Sequence, residues 1–420
     1  MREMKDSGIS WVGEIPKEWT IMPLYCFYSE RKNKNIFGAE NNLLSLSYGN
    51  VIRKDINTSE GLLPSNYNGY NIVEAGDIII RPTDLQNDKR SLRTGLSKER
   101  GIITSAYIAL KPKNGINSRF YHYLLHTYDI LKVFYNMGNG VRQGLNYDEF
   151  AKLMVYSPSD TEQQRIAEFL DRECGKIDGL KADIQAQIDT LEQYKRSIIT
   201  EAVTHGLNPS APMKDSGAGW MPLIPLHWKA DKLKFHLRQR GIKNQIDKQV
   251  LSLYREYGIV PKDSRDDNHN VTSEDVSDYR YVRVGDFVVN KMKAWQGSVA
   301  VSNYEGIVSP AYFVYEFLDD LINKRYFHYL MRNKTYATEF RRLSGGIREG
   351  QWDLPSEALN NTIILLPPLD EQQEIADYLD NKCAEIEQII ADKKSQIETL
   401  DGYKKSLIFE YVTGKKEIAL

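Results

Sequence analysis

Long apolar runs are missing from this sequence of 420 residues: no stretch approaches the roughly 20 apolar residues that span a bilayer. The N-terminal segment MREMKDSGISW also lacks the apolar core of a secretory signal. Cysteine is scarce, and three cysteines over this length cannot form a dense disulfide framework. We therefore predict a cytoplasmic protein with no membrane role, long enough for more than one domain.

Motifs for catalysis are missing as well. The sequence has no GxxxxGK[ST] loop for nucleotide phosphates. Its one Pro-Pro pair, Pro367-Pro368, lies in LLPPLDE and does not form the (Asn/Asp/Ser)-Pro-Pro-aromatic loop of an amino-methyltransferase. His122 and His328 lie in aromatic segments where packing is the expected role, and the acidic loop residues form no nuclease cluster. We predict no catalytic, cofactor or metal site.

An internal duplication organises the chain. MKDSGISWVGEIPKEW near the N-terminus returns as MKDSGAGWMPLIPLHW from Met213, an offset of 209 residues. TEQQRIAEFLD from Thr161 and DEQQEIADYLD from Asp370 share this offset, whereas GIITSAYIAL from Gly101 and GIVSPAYFVY from Gly306 are 205 residues apart. The first copy therefore has about four extra residues before Gly101, and insertions of this kind are typical of surface loops.

Each copy ends in a segment with heptad-spaced apolar residues, which predicts a long helix. We expect capping boxes at Thr161 with Gln164 and at Asp370 with Gln373, and helix ends at Gly206 and Gly414. In the first helix the predicted core positions are Leu170, Ile177, Ile184, Leu191 and Ile198, flanked by Leu180, Ile188 and Tyr194. In the second helix they are Leu379, Ile386, Leu400 and Leu407, flanked by Ile389, Ile390, Ile397 and Tyr403, and Lys393 interrupts this heptad pattern. About 44 helical residues span on the order of 65 Å.

The predicted fold class is α+β. It comprises two tandem domains of mixed strands and helices, each followed by a long helix, with the two helices packed as an antiparallel coiled coil of pseudo-twofold symmetry and the domains at opposite ends. The predicted segments are a first domain over 1–158, a first long helix over 159–205, a linker over 206–219, a second domain over 220–367 and a second long helix over 368–420.

The net charge of −2 conceals an asymmetry between these segments. Residues 161–205 carry 6 Lys and Arg against 9 Asp and Glu, and residues 370–416 carry 7 against 11, so the helical segments hold −7 and the remainder +5. A basic remainder suits a nucleic-acid partner, and the acidic helices suit a protein partner.

The unequal loops carry the side chains expected to contact DNA. Arginine pairs with guanine, asparagine and glutamine pair with adenine, and lysine mostly contacts phosphate. The candidates are Arg81, Gln86, Asn87, Lys89, Arg90 and Arg93 in the first copy, and Lys291, Lys293, Trp295 and Gln296 in the second. Arg142 with Gln143 and Arg348 lie in the matching turns GVRQG and GIREG; since the two arginines are identical in both copies, we expect phosphate contacts or a scaffold role from them.

Taken in order, these motifs resemble the specificity subunit of type I restriction-modification systems over essentially the whole chain. The resemblance rests on the repeated MKDSG opening, the Gly-Asp strand, KMKAWQGSV, GIVSPAYFV, GIREG and PLDEQQEIADYLD. It implies two target recognition domains that each recognise one part of a split site in double-stranded DNA, and long helices that act as a spacer.

The resemblance also implies partners. The long helices would bind two methyltransferase subunits, which carry S-adenosylmethionine, and ATP-driven restriction subunits with Mg²⁺ would complete the nuclease. Two alternatives remain open from the residues themselves: a complete nuclease with an unrecognised site, and a coiled-coil scaffold unrelated to DNA.

Overall fold

The computed structural model describes residues 2–57, 66–83, 92–137, 144–255, 257–264, 272–346 and 352–418. The chain forms two compact units. Unit 1 comprises Met1–Ile184 with Ser395–Leu420, and unit 2 comprises Gln185–Lys394. Each unit therefore contains the beginning of one long helix and the end of the other.

Unit 1 contains twelve of the described strands, two short helices and the start of a long helix. The strands are β1 (Met4–Asp6), β2 (Glu14–Pro16), β3 (Thr20–Pro23), β4 (Tyr28–Glu30), β5 (Leu44–Ser47), β6 (Asn50–Arg53), β7 (Asn71–Val73), β8 (Ile78–Ile80), β9 (Thr94–Leu96), β10 (Gly101–Ile103), β11 (Ile108–Pro112) and β12 (Met154–Ser157). The helices are α1 (Ser118–Ile130), α2 (Tyr147–Phe150) and α3 (Asp160–His205), of which residues 160–184 belong to this unit.

Unit 2 also contains twelve of the described strands, with three short helices and the start of the other long helix. Its strands are β13 (Met213–Ala218), β14 (Met221–Pro225), β15 (Lys229–Lys232), β16 (Leu237–Arg240), β17 (Leu251–Tyr254), β18 (Gly258–Pro261), β19 (Arg280–Val282), β20 (Phe287–Asn290), β21 (Val299–Val301), β22 (Gly306–Val308), β23 (Tyr312–Phe317) and β24 (Ile363–Leu366). Its helices are α4 (Lys324–Arg332), α5 (Lys334–Leu343), α6 (Ser356–Asn360) and α7 (Leu369–Val412), of which residues 369–394 belong to this unit.

The two units share one sheet topology. Unit 1 has an antiparallel four-stranded sheet in the order β4-β11-β8-β9, with pairs β1-β2, β3-β12, β5-β6 and β7-β10. Unit 2 has the sheet β16-β23-β20-β21, with pairs β13-β14, β15-β24, β17-β18 and β19-β22. Every strand pairing of one unit thus has its counterpart in the other. The duplication and the predicted α+β class are confirmed strand by strand.

Each repeated opening motif buries a tryptophan in the core. Trp19 and Trp228 are both 0% exposed, and each follows the Ile-Pro of a strand that pairs with the MKDSG strand. In unit 1 the Trp19 indole stacks on Tyr156 with ring centroids 5.7 Å apart and donates from Nε1 to Glu162 at 3.0 Å. The motif therefore ties the first hairpin to the start of a long helix.

A second duplicated contact fixes each long helix to its globular part. The N-cap residues Asn117 and Asn323 donate from Nδ2 to Gln164 and Gln373 respectively, both at 2.7 Å. The hydroxyl of Tyr123 bonds Asp171 at 2.9 Å. In unit 2, Tyr329 bonds Asp380 in the same way at 2.7 Å.

The end of the opposite long helix completes each core. Leu407, Ile408 and Val412 of α7 are at most 5% exposed and pack in the core of unit 1 with Trp19 and Leu170. In unit 2, Ala202 and Val203 of α3 pack with Trp228 and Leu379. The last turns of each helix are thus core elements of a globular unit.

The helices run antiparallel within each unit. In unit 1, Phe169 lies against Tyr411 with ring centroids 4.3 Å apart, Asp178 pairs with Lys404 at 2.7 Å, and Lys181 pairs with Asp401. In unit 2, Gln187 accepts from Lys393 at 2.5 Å, and Lys195 pairs with Glu387. Residue numbers rise on α3 as they fall on α7, so the predicted antiparallel packing is confirmed, and Lys393 forms a polar contact in the seam.

Part of the predicted seam is wrong. Leu170, Ile177, Ile188 and Ile198 are buried, as are Leu379, Ile386, Ile390 and Leu407. Four predicted seam residues are instead 44–57% exposed, namely Leu180, Tyr194, Ile389 and Tyr403. Heptad spacing predicts which residues lie on the same face of a helix. It does not predict how much of that face the partner helix covers, which is why these four residues were wrongly placed in the seam.

Helix boundaries differ slightly from the prediction. The N-cap residue of α3 is Ser159, whose Oγ accepts a hydrogen bond from Glu162 N at 3.3 Å, so the predicted cap Thr161 is wrong. The side chain of Gln164 accepts a hydrogen bond from Asn117 and does not form the predicted capping box. At α7 the side chain of Gln373 likewise bonds Asn323. The helix ends at Val412 rather than continuing to 420, and the predicted linker over 206–219 contains β13.

Glycines terminate both long helices as predicted. Gly206 and Gly414 have φ of 78° and 69°, the left-handed conformation that follows many helices. A Cβ at Gly414 would lie 2.5 Å from Pro16, and one at Gly206 would lie 3.3 Å from Trp228. The backbone of each helix end therefore approaches the opening motif closely. Among the described residues, no helix has both the length and the apolarity needed to traverse a bilayer.

Candidate nucleic-acid interface

The loop after β20 presents polar side chains on the surface of unit 2. Lys293 and Gln296 are exposed, and Trp295 is half-buried on a short 3-10 helix over Ala294–Gln296. Its indole Nε1 donates to Met292 O at 3.0 Å, which fixes the ring. Lys291 pairs with Asp353 at 3.1 Å, so its charge is partly neutralised.

The fold holds this loop at both ends. Asn290, which is buried, accepts from Met292 N at 3.1 Å, and Gly297 turns the chain with φ of 85°. Lys291 also accepts at its carbonyl from Leu354 N at 2.9 Å. The four side chains predicted in this loop, Lys291, Lys293, Trp295 and Gln296, are therefore brought together on a fixed scaffold.

In unit 1 the matching loop follows β8. Arg81 N donates to Arg93 O at 2.9 Å, and Pro82 O accepts from Leu145 N at 3.0 Å. The expectation that Arg93 contacts DNA is not supported, because its side chain is 0% exposed. Its guanidinium donates to Thr83 O and its backbone N–H to Asp129, so Arg93 closes the base of the loop.

Several predicted contacts lie outside the described residues. These are Gln86, Asn87, Lys89, Arg90, Arg142, Gln143 and Arg348. They remain predictions from the sequence.

A buried ion pair anchors the strand that leads into each loop. Asp77 of the first Gly-Asp pair bonds Arg31 and accepts from Glu74 N at 2.8 Å. Asp286 pairs with Arg240 and accepts from Arg283 N at 2.7 Å. Burial raises the pKa of both carboxyl groups, and the arginines oppose this shift. The preceding glycines have φ of 92° and 87°, which explains the Gly-Asp pairs.

Two partly buried histidines lie on α1 of unit 1. His122 and His126 are four residues apart on α1, a spacing that suits metal ligands, with ring centroids 6.0 Å apart. Burial, together with the charge of nearby lysines and, for His122, of His126, lowers the pKa of His122 to about 3 and that of His126 to about 4. The described residues supply no third ligand from His, Cys, Asp or Glu. The lowered pKa values favour the neutral form of both imidazoles, which suits the packing role predicted for His122.

A groove of about 2200 Å³ in unit 2 borders the loop at Gln296 and Gly297. Its lining contains nine basic residues, Lys195, Arg196, Arg255, Lys324, Arg325, Arg332, Lys334, Arg342 and Lys394, against five acidic ones, Glu192, Glu201, Glu339, Asp380 and Glu387. The excess positive charge suits a polyanion.

Comparison with known proteins gives the family. The family model described as the type I restriction modification DNA specificity domain matches residues 30–190 and 242–399, which is more than half of the chain. The chain belongs to this family. As a type I specificity subunit it has a role in DNA sequence recognition and is not itself a catalytic subunit.

Known proteins match this specificity subunit over most of their length. The specificity subunit of the type I restriction enzyme MjaVIII from Methanocaldococcus jannaschii is 25% identical over 341 residues, which cover 76% of this chain and 75% of the relative. A chain from a structure of a type I restriction-modification system, solved to study complex assembly and conformational transition, has a TM-score of 0.66 at 12% identity, covering 96% of this chain and 99% of that one. This structural likeness shows the same fold.

The specificity subunit also has surface features that sequence reasoning missed. Trp352 packs on Trp295 with ring centroids 5.5 Å apart, and Arg341 lies 5.7 Å from the Trp352 ring centroid. Tyr48 and Tyr257 are 78% and 56% exposed beside Gly49 and Gly258 in the turns of equivalent hairpins. The tyrosines are 209 residues apart, so the repeat offset could have identified them.

Proposed function

We propose that this chain directs a type I restriction-modification complex to a bipartite DNA site, with each unit recognising one half-site. One observation carries the proposal: the two units share every strand pairing but differ in the loops that follow β8 and β20. A common scaffold with divergent loops suits two related readers of different base sequences. A DNA partner also suits the predicted cytoplasmic location.

In unit 2 the exposed groups suited to DNA are Lys293 and Gln296, next to the basic groove. Glutamine pairs with adenine in the major groove, and lysine mostly contacts phosphate. In unit 1, Arg81 lies at the base of the divergent loop and is half-buried. Tyr48 and Tyr257 are identical in the two units, so we assign them contacts that do not depend on base sequence.

The helices supply the second part of the proposal, which is docking of two methyltransferase subunits. In unit 1 the exposed apolar residues on the helices include Leu180 and Tyr403, and in unit 2 they include Ile389 and Tyr194. Leu180 corresponds to Ile389, and Tyr194 to Tyr403, at the repeat offset. One equivalent apolar surface in each unit suits two copies of the same partner.

The third part is that the helices set the spacing between the half-sites. Removing seven residues from α3 and the facing seven from α7 shortens the pair by about 10 Å. Since base pairs rise by about 3.4 Å, we expect the recognised spacer to shorten by about three base pairs. An unchanged spacer would contradict the role of the helices as a ruler.

The decisive experiment is to co-express the chain with a cognate methyltransferase subunit and to map modified bases across the host genome. A split motif is expected, and replacing Lys291, Lys293 and Gln296 together should alter one half only. A continuous motif, or methylation unaffected at both halves, would contradict the proposal. Cleavage of DNA by the purified chain with Mg²⁺ would favour the alternative of a complete nuclease. Activity that does not change when the loop arginines and lysines are replaced would favour the alternative of a coiled-coil scaffold.

A further inference from the structure

Besides the loop after β8, the two copies also differ in length next to the turns GVRQG and GIREG. GVRQG of the first copy and GIREG of the second are 206 residues apart. Immediately afterwards, Leu145 and Leu354 are 209 residues apart and make the same backbone hydrogen bond, to Pro82 O at 3.0 Å and to Lys291 O at 2.9 Å. The second copy therefore contains three extra residues, Gln351, Trp352 and Asp353.

These two length differences lie at the same place in the fold. Pro82 and Lys291 are themselves 209 residues apart and begin the two divergent loops. The hydrogen bonds from Leu145 and Leu354 join those loops to the segment in which the second copy has its insertion. Unit 1 is longer in one of the two joined segments, and unit 2 is longer in the other.

Two of the inserted residues, Trp352 and Asp353, pack on the candidate loop of unit 2. Asp353 pairs with Lys291 at 3.1 Å, and its backbone N–H donates to Gly345 O at 2.9 Å. Trp352 is half-buried against Trp295, with an angle of 58° between the rings. The insertion therefore extends the same surface that carries Lys293 and Gln296.

Arg341 of α5 completes this cluster. Its guanidinium carbon lies 5.7 Å from the centroid of the Trp352 ring, within range of a cation–π contact, and the residue is exposed. A guanidinium oriented by an aromatic ring loses less conformational freedom when it binds, and its planar array of donors matches the O6 and N7 acceptors of guanine.

We propose that Trp352 and Arg341 determine base preference in the second half-site: Arg341 contacts a base edge, and Trp352 is the positioning residue that orients it. The inference rests on the proposed function. It adds two residues that neither the loop motif nor the turn motif contains. Because the insertion is confined to the second copy, the first half-site does not depend on it.

The test compares Arg341→Ala, Arg341→Lys, Trp352→Ala and Trp352→Phe in the complex with a cognate methyltransferase subunit. Genome-wide methylation is mapped for each variant. Lys243→Ala is the control, since it removes another exposed positive charge of unit 2 that pairs with Asp278. We expect Arg341→Ala and Trp352→Ala to lose roughly tenfold or more of the discrimination at one or more positions of the second half-site.

The conservative variants separate positioning from charge. Trp352→Phe keeps an aromatic face and should retain part of the preference, whereas Arg341→Lys keeps the charge but loses the planar donors and should behave like Arg341→Ala. Methylation of the first half-site should be unchanged in all four variants. The methylation profile of Lys243→Ala should match that of the wild type at both half-sites. A merely structural role would lower thermal stability and overall methylation without changing base preference.

Two results would overturn the inference. One is an unchanged second half-site in both alanine variants, and the other is a change confined to the first half-site. If the wild-type complex itself yields no split motif, the proposed function fails instead, so the two failures are distinguishable.

Discussion

The end of each long helix should control the stability of the unit in whose core it lies. Val412 of α7 is 0% exposed in the core of unit 1, and Val203 of α3 is 0% exposed in the core of unit 2. The two valines are equivalent at the repeat offset of 209 residues. Val412→Ala and Val203→Ala therefore form a matched pair of perturbations.

The magnitude follows from the groups removed. Valine to alanine deletes two buried carbon groups, which cost about 0.8 kcal/mol each in lost transfer free energy. Incomplete collapse of the remaining cavity raises the cost of each substitution to about 2 kcal/mol. Since 1.4 kcal/mol corresponds to a factor of ten, amide exchange through opening of the affected unit should accelerate by roughly 30-fold.

Hydrogen exchange with peptide resolution measures this directly. Val412→Ala should accelerate exchange in the central strand β11 of unit 1, and Val203→Ala should do so in β23 of unit 2. Ile389→Ala, at a position 44% exposed, serves as a control and should change neither strand. If Val412→Ala left β11 unchanged, or destabilised β23 instead, the assignment of the helix end to the core of unit 1 would be refuted.

Three further changes have defined outcomes. Burial raises the pKa of Asp129 from 3.8 to about 6, so ionisation of this carboxyl group lowers the free energy of unfolding as pH rises from 4 to 6. Asp129→Asn should remove about 3 kcal/mol of this pH dependence of the free energy of unfolding. Urea unfolding of the variant and the wild type over this pH range measures the difference. A parallel pH profile for the two proteins would argue against this. Leu180→Glu should leave the isolated chain stable but reduce the bound methyltransferase from two copies to one by native mass spectrometry, and an unchanged stoichiometry would remove this patch from the docking surface. Gly414→Val, at φ of 69° with Pro16 2.5 Å from the new Cβ, should lower the melting temperature of unit 1, whereas Lys415→Ala should not.

The sequence predicted those parts of the fold that rest on repetition and period. Matching motifs 209 residues apart predicted the duplication. Heptad-spaced apolar residues that end at Gly206 and Gly414 predicted both long helices, with most helix ends correct to within a few residues. Leu180 and Tyr194 were misplaced because their exposure depends on where the partner helix lies. The cap at Ser159 was missed for a similar reason, since Gln164 accepts a hydrogen bond from Asn117, the N-cap residue of α1.

The candidate site was less predictable. Arginine in a charged loop was assumed to face solvent, but Arg93 returns into the core to satisfy Thr83 O, a contact that requires the folded loop. Trp352 was missed although a signal existed, because the offset changes from 206 to 209 between Gly350 and Leu354. Arg341 has no such signal, since its relation to Trp352 depends on how α5 packs against the loop.

The way in which the loops are anchored would let one fold serve as the two proposed readers of different base sequences. Each divergent loop is closed at its base by a backbone hydrogen bond, Arg81 N to Arg93 O in unit 1 and Asn290 N to Ser298 O in unit 2. Backbone bonds do not depend on side-chain identity, so residues between the anchors are free to vary in number and type without disturbing the sheet. The buried Asp77–Arg31 and Asp286–Arg240 pairs hold the strand that leads into each loop and are the same in both units. Changes in base preference should therefore arise between the anchors or in the Trp352–Arg341 cluster packed on the unit 2 loop, whereas substitutions at the anchors should impair a whole half-site.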